Sequence, residues 1–311
     1  MVCHDFRFKS EEGTEIFVYV WTPEDPATIK GIVQISHGMA ETAKRYERFA
    51  KILTNSGFAV YANDHRGHGK TAGTLEKLGY LADQDGFHWL VQDLHQLSQI
   101  IQEKHPGLPL FLLGHSMGSF AVQRYIMLYG NELQGAILSG SNGRQGIALD
   151  MGLRIAQKEA EKHGRTAPSE KMDQLLFGNF NRRFRPNRTS FDWLSRDTAE
   201  VDQYISDPFC GTVFTTGFFY DFLTGLKELE KRENLNQIPK DLPILIFSGD
   251  KDPVGKNGRG VKRLFRTYKR YGVKDVELRL YSEGRHEMFN ETNRDEVMTD
   301  VITWLNCHMP Q

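Results

Sequence analysis

The feature that most constrains this chain is a rhythm of short apolar runs set between stretches with helical spacing. Gly31 to Ser36, Phe58 to Ala62, Leu110 to Leu113, Gly135 to Ser139 and Pro243 to Ser248 read as strands. They are too apolar to leave one face in water, so they read as strands covered on both faces. Ile16 to Trp21 and Val276 to Tyr281 add two more. Tyr46 to Ser56, Val91 to Ile101, Gly260 to Tyr271 and Arg294 to Cys307 read as helices. This alternation predicts an α/β fold with a mostly parallel central sheet flanked by helices.

The rhythm breaks at Ser141-Asn142-Gly143 and returns only after Gln237. Residues 1–142 and 238–311 are therefore read as one α/β core, and 143–237 as a helical insertion. The insertion enters just after a strand's C-terminal end, where open α/β sheets keep their sites. That position predicts a cap or lid over the site, with a helical decoration as the alternative. A chain of 311 residues buries enough surface to need no disulfide or metal staple. Its 39 Lys and Arg against 40 Asp and Glu exclude a broad basic face for nucleic acid. Cys3, Cys210 and Cys307 are too scattered for a disulfide framework or a paired zinc motif, and they fit a reducing compartment. The first residues lack an apolar leader, and no stretch reads as a membrane span. The expected location is cytoplasmic, with a peripheral membrane association as its variant.

Gly114-His115-Ser116-Met117-Gly118 has the G-x-S-x-G form of a nucleophile elbow. A serine on a sharp strand-to-helix turn projects its hydroxyl, and small residues two positions to either side avoid collisions with neighbouring backbone. The apolar run Leu110 to Leu113 enters the motif, and a helical run leaves it. A serine hydroxyl needs a base, and in this strand-turn-helix context the order is Ser, then an acid, then His. His286 is the downstream histidine that sits just after a predicted strand. The loop Ser248-Gly249-Asp250-Lys251-Asp252-Pro253 supplies the acid. Asp252 is favoured, because it stands later in the turn, and Asp250 reads as a turn former. The acyl transition state needs amide donors for its oxyanion. The N–H of Met117 is one, and the N–H of Met39, in Ser36-His37-Gly38-Met39-Ala40, is assigned as the other. His37 and His115 read as local hydrogen-bonding residues.

Four segments together resemble the monoacylglycerol lipase and lysophospholipase branch of the α/β-hydrolase fold. They are Ser36 to Glu41, Asn63-Asp64-His65-Arg66-Gly67-His68-Gly69, Gly114 to Gly118, and Arg285-His286-Glu287-Met288-Phe289-Asn290-Glu291. The resemblance implies a serine ester hydrolase with a lid and no cofactor. It carries the triad onto Ser116, Asp252 and His286, and the oxyanion amides onto Met39 and Met117. Mammalian-type monoglyceride lipases resemble His-Gly-Ala-Gly-Glu-His at the first motif, where this chain has His37-Gly38-Met39-Ala40-Glu41-Thr42. Asp64, His65 and His68 invite a metal reading. Their spacing is not that of a common zinc hydrolase, and Gly67 and Gly69 indicate a tight structural loop, so no metal is expected.

Nine of the 20 phenylalanines fall between Phe177 and Phe222. An acyl pocket needs such a lining, and Phe177, Phe180, Phe184 and Phe218 are its candidates. The partner expected is a small ester, lipid-like in character: a monoacylglycerol, a lysophospholipid or a simpler ester. An aminopeptidase would instead require cap carboxylates facing the pocket, such as Asp192 or Glu200. A non-catalytic ligand receptor would lack a triad member, and none is lacking. The basic run Arg182 to Arg188 suits a phosphate head group or a transient contact of the cap with an anionic membrane. Residues 143–237 hold 14 basic and 14 acidic side chains, which favours a solvated face for that run.

Overall fold

The apolar runs pair into one eight-stranded sheet of order β1-β2-β4-β3-β5-β6-β7-β8 in a computed structural model that describes residues 1–310. The strands are β1 (Val2–Lys9), β2 (Glu15–Thr22), β3 (Gly31–Ser36), β4 (Phe58–Asn63), β5 (Leu110–His115), β6 (Gly135–Ser139), β7 (Ile244–Gly249) and β8 (Val276–Tyr281). β1 and β2 join antiparallel, as do β2 and β4, and from β4 to β8 every pairing is parallel. Each residue of β3, β4, β5, β6 and β7 is buried, as a parallel sheet covered on both faces requires.

The helices are α1 (Glu47–Asn55), α2 (Gly69–Ala72), α3 (Gly86–Lys104), α4 (Met117–Tyr129), α5 (Ile147–His163), α6 (Glu170–Phe177), α7 (Thr198–Ser206), α8 (Thr216–Glu230), α9 (Arg232–Gln237), α10 (Arg259–Arg270) and α11 (Arg294–Cys307). Phe49 and Leu53 of α1 join Val297, Val301 and Trp304 of α11 over one face of the sheet. Leu94 and Leu97 of α3, Val122 and Ile126 of α4 and Leu264 of α10 cover the other. No helix among the described residues is long and apolar enough to cross a membrane.

The structure adds one strand that the sequence did not announce. Val-Cys-His-Asp-Phe-Arg-Phe-Lys of β1 is largely exposed and carries no apolar run. It is a strand because β2 pairs with it residue for residue, from Val2 opposite Thr22 to Lys9 opposite Glu15. Between β6 and β7 the chain forms α5 to α9 without an intervening strand. α5 packs on α8, α8 packs on α3 and α4, and α9 packs on α4.

Arg66, 1% exposed, ties the loop after β4 to α3. Its Nε and Nη2 donate to the two oxygens of Asp93 at 2.8 and 2.9 Å, and its Nη1 donates to Glu12 at 2.6 Å. Removing Asp93 leaves the buried Arg66 charge with only the part-exposed Glu12 as a carboxylate partner, in a low dielectric. Asp93→Ala is therefore expected to cost about 3–5 kcal/mol, read as a lowered midpoint in urea unfolding. A loss under about 1 kcal/mol would mean the pair is no more than a surface ion pair.

Candidate active site

β5 ends at His115 and α4 begins at Met117, leaving Ser116 alone to make the turn. It does so at φ 50°, ψ −118°, a conformation that side chains with a Cβ rarely adopt and that costs about 1–3 kcal/mol. The Ser116 amide is held by the carbonyl of Ser139 on β6 at 2.9 Å. The glycines on either side are required by close approach. A Cβ on Gly114 would stand 2.4 Å from the Gly118 carbonyl oxygen, and one on Gly118 would stand 2.1 Å from that of Ser36.

Asp252 lies in the loop after β7 and is fully buried. Its Oδ2 accepts from the Ser248 hydroxyl at 2.8 Å, and its Oδ1 accepts from the Val254 amide at 2.9 Å. The same Oδ1 is 3.0 Å from Nδ1 of His286, in the loop after β8. Asp250 points elsewhere. Its half-exposed carboxylate accepts from the Glu283 amide at 2.9 Å and lies 3.4 Å from Lys251 Nζ. Ser116 and His286 line one cavity together. Burial alone would lower the His286 pKa. The charge and hydrogen bond of Asp252, with Glu287 and Glu41 adding to them, outweigh that and raise it above the ordinary imidazole value.

Two amides lie near the serine, one opening α4 and one in the loop after β3. Met117 is the first residue of α4, so its N–H has no partner within the helix. Near Met39, the Gly38 amide is taken by Glu41 Oε1 at 2.5 Å and the Ala40 amide by His68 Nε2 at 3.3 Å. The Met39 amide between them has no acceptor among the described residues. The other histidines beside the serine and its neighbouring loops are held in local bonds. His37 Nε2 accepts from the His65 amide at 3.0 Å, and His115 Nδ1 lies 3.1 Å from the Ser139 hydroxyl. Burial first, then the nearby His286 charge, pushes His115 down to about 4. Both ring nitrogens of His65 and of His68 meet protein atoms. Asp64 accepts the amides of Ala43 and Lys70, both at 2.8 Å. This trio braces the loop after β4.

Sequence reasoning missed a buried ion cluster against the cavity. Arg45 donates to Glu41 at 2.7 Å and to both oxygens of Glu287 at 2.7 Å. Burial would raise the Glu287 pKa, but the Arg45 charge and its hydrogen bonds bring it down to about 2. The signal was present, since Glu41 and Glu287 belong to motifs singled out above. The histidine loop also grips the insertion. The Glu287 amide donates to the Leu194 carbonyl at 2.8 Å, and Arg285 reaches the carbonyls of Asp192 and Ser195. Glu291 accepts from the amides of Arg285 and Arg196 and pairs with Arg196 Nε at 2.8 Å.

Two chambers meet at Ser116. One, of about 390 Å³, includes His286, Asp173, Asn181, Asn187, Thr189 and Trp193. The other, of about 410 Å³, is mostly apolar, with Leu149, Ile155, Leu176, Phe222 and Leu223. Met39, Ser116 and Phe177 line both. Phe180 lines the apolar chamber. Two candidates require correction. Phe184 lines neither chamber, because its ring is occupied by the Arg285 guanidinium at 4.3 Å. Phe218 also lines neither, because it is core, 1% exposed and packed edge-on to Phe214 at 4.3 Å.

A serine on the turn leaving the fifth strand, above a sheet whose later strands deliver an aspartate and then a histidine, is the plan of an α/β hydrolase. The profile of the family described as serine aminopeptidase, S33, matches residues 27–293, and the chain belongs to that family. It is 32% identical to a monoacylglycerol lipase of Mycolicibacterium smegmatis, covering 98% of each chain. It is 29% identical to the human monoglyceride lipase, over 96% of this chain and 88% of the relative. Among solved structures, a thermostable carboxyl esterase from Bacillus coagulans in complex with glycerol superposes with a TM-score of 0.91, at 30% identity over the whole of both chains. The protein is a serine ester hydrolase.

The His286 environment gives a spectroscopic prediction. The raised pKa depends on Asp252, so Asp252→Asn leaves burial as the largest influence and the His286 pKa falls. Histidine-selective NMR titration measures the shift, and an unchanged value would mean that Asp252 is not its charge partner.

Proposed function

We propose that this hydrolase cleaves monoacylglycerol-like esters through a Ser116–His286–Asp252 triad and an acyl-enzyme intermediate. The observation that carries the reading is the meeting at Ser116 of a chamber of mixed lining, with Asp173, Asn181, Asn187 and Thr189 among its residues, and a mostly apolar one. A single-chain lipid ester has the same two-sided chemistry, an acyl tail on one side of its carbonyl and a hydroxylated alcohol on the other.

Ser116 Oγ attacks the carbonyl carbon as His286 Nε2 takes the hydroxyl proton, and Asp252 steadies the imidazolium. The Met39 and Met117 amides receive the oxyanion. The carbon–oxygen bond to the alcohol then breaks, and the alcohol leaves with the proton from His286. Water, deprotonated by His286, attacks the acyl-enzyme and releases the acid and free Ser116. The tail occupies the chamber lined by Leu149, Leu176, Phe177 and Phe180, and the alcohol faces Asp173, Asn181 and Asn187.

The aminopeptidase alternative loses its two candidate carboxylates. Asp192 accepts from the Arg188 amide and the Thr189 hydroxyl, both at 2.6 Å. Glu200 is paired with Arg48 at 2.6 Å. The relatives named as monoacylglycerol and monoglyceride lipases support the ester reading.

A fluorophosphonate should label wild-type protein at Ser116 and leave Ser116→Ala unlabelled. Folded wild-type protein that stays unlabelled would defeat the triad. Asp252→Asn should lower kcat by about 10⁴, whereas Asp250→Asn should stay within about threefold, as for a surface change. Because the working base is neutral His286, the raised pKa moves the acid limb of kcat/KM upward from that of an ordinary imidazole. A panel of monoacylglycerols, lysophospholipids, short esters and aminoacyl amides tests the substrate. Faster turnover of the amides would assign the peptidase instead.

A further inference from the structure

A second basin adjoins the apolar chamber. It measures about 470 Å³ and lies between the turn at Phe180–Phe184 and the start of α10. Its cations are Arg182, Arg183, Lys256, Arg259 and Arg263, and no acid lines it. All five residues are exposed. None of the five is paired with a carboxylate among the described residues. The chain's charges otherwise nearly cancel, at −1 net, so this concentration of unpaired cations is a local departure. Like charges gathered without counter-ions repel one another, and an anion placed among them relieves that repulsion.

The position of the basin narrows the anion. Phe180, Pro253 and Lys256 line both the basin and the apolar chamber that reaches Ser116. Met151 and Leu175 line the same chamber and are 60% and 48% exposed. Ile147, at the start of α5, is 78% exposed. Apolar side chains that protrude at a chamber, next to a patch of cations, form the two-part footprint of a protein that settles on anionic lipid. A free soluble phosphate would account for the cations and leave the exposed apolar residues unexplained.

We propose that the Arg182, Arg183, Lys256, Arg259 and Arg263 basin binds the phosphate of anionic phospholipids and seats the chamber's exposed apolar residues on an anionic membrane surface. The surface enlists α10, a helix of the hydrolase core, together with the segment that precedes the cis Arg185–Pro186 bond in the insertion. The basic run in the insertion, read alone, is balanced by acids elsewhere in it. Folding instead places Arg182 and Arg183 beside the basic end of α10. This seat does not depend on which ester is cleaved.

Flotation with phosphatidylcholine vesicles, with and without phosphatidylglycerol, tests it on the full chain. Wild-type protein should bind only the phosphatidylglycerol vesicles, and added salt should release it. Joint replacement Arg182→Gln, Arg183→Gln, Arg259→Gln and Arg263→Gln should weaken that binding at least about tenfold. Hydrolysis of a soluble short ester should stay unchanged, which shows the variant is folded. A control removes four α10 charges beyond the basin, Lys262→Gln, Arg266→Gln, Lys269→Gln and Arg270→Gln, and should weaken binding less than the first set. Equal loss in the two variants would overturn the proposal in favour of diffuse attraction. Absence of vesicle binding by wild-type protein would overturn it too, as would thermal stabilisation by inorganic phosphate that vanishes in the first variant without any vesicle binding.

Discussion

The close approach of α4's first turn to the end of β3 governs the whole site. Gly118 lies so near the Ser36 carbonyl that even one added carbon would stand 2.1 Å from its oxygen. That contact fixes where α4 starts, and hence where the strained Ser116 must turn. It also brings the loop after β3 next to the serine, so Met39 and Met117 amides come from two elements pressed together. Strain of this kind persists only where the surroundings over-determine it. Here the Ser139 carbonyl holds the serine's amide, and the Ser119 amide holds its carbonyl at 2.9 Å. The sheet is therefore a rigid base for a turn that would relax in isolation.

Electrostatics then singles out one imidazole from several. His37 and His68 are each pushed down to about 3, first by burial. His65 is lowered as well, by burial and then by repulsion from its histidine neighbours. His286 is buried too, yet it is raised, because a carboxylate touches it. The difference lies in the partner. The first three meet hydroxyls, amides or carbonyls, which do little to offset the cost of burying a cation. His286 meets Asp252, whose other oxygen is occupied by Ser248, so the carboxylate is oriented before any proton moves.

Much of this was legible in the sequence, for a physical reason. Strands buried on both faces must be apolar throughout, and β3 to β7 announce themselves that way. Chain order on the parallel sheet then placed Ser116, Asp252 and His286 on loops at one end. β1 escaped because an exposed edge strand is defined by its neighbour and carries no pattern of its own. The aromatic candidates divided for a similar reason. Composition counted phenylalanines in the insertion, but a ring's role depends on what else claims it. Arg285 claims Phe184, and Phe214 claims Phe218. The Arg45–Glu41–Glu287 cluster joins residues 242 positions apart, a separation at which sequence shows the charges without showing that they meet.

The insertion is anchored at two of its parts, which limits how the chambers can change shape. Residues 192–196 are hydrogen-bonded to the loop that carries His286, through Glu287, Glu291 and Arg285. α8 lies against α3 and α4 of the core. Moving either part would disturb the histidine loop or open the core. α6 and the stretch after it supply Leu175, Leu176, Phe177 and Phe180 to the apolar chamber, and Met172 of α6 is fully buried in the core. The Asp252–His286 contact is made by the loops after β7 and β8. The lining of the apolar chamber and the Asp252–His286 contact thus come from different parts of the chain.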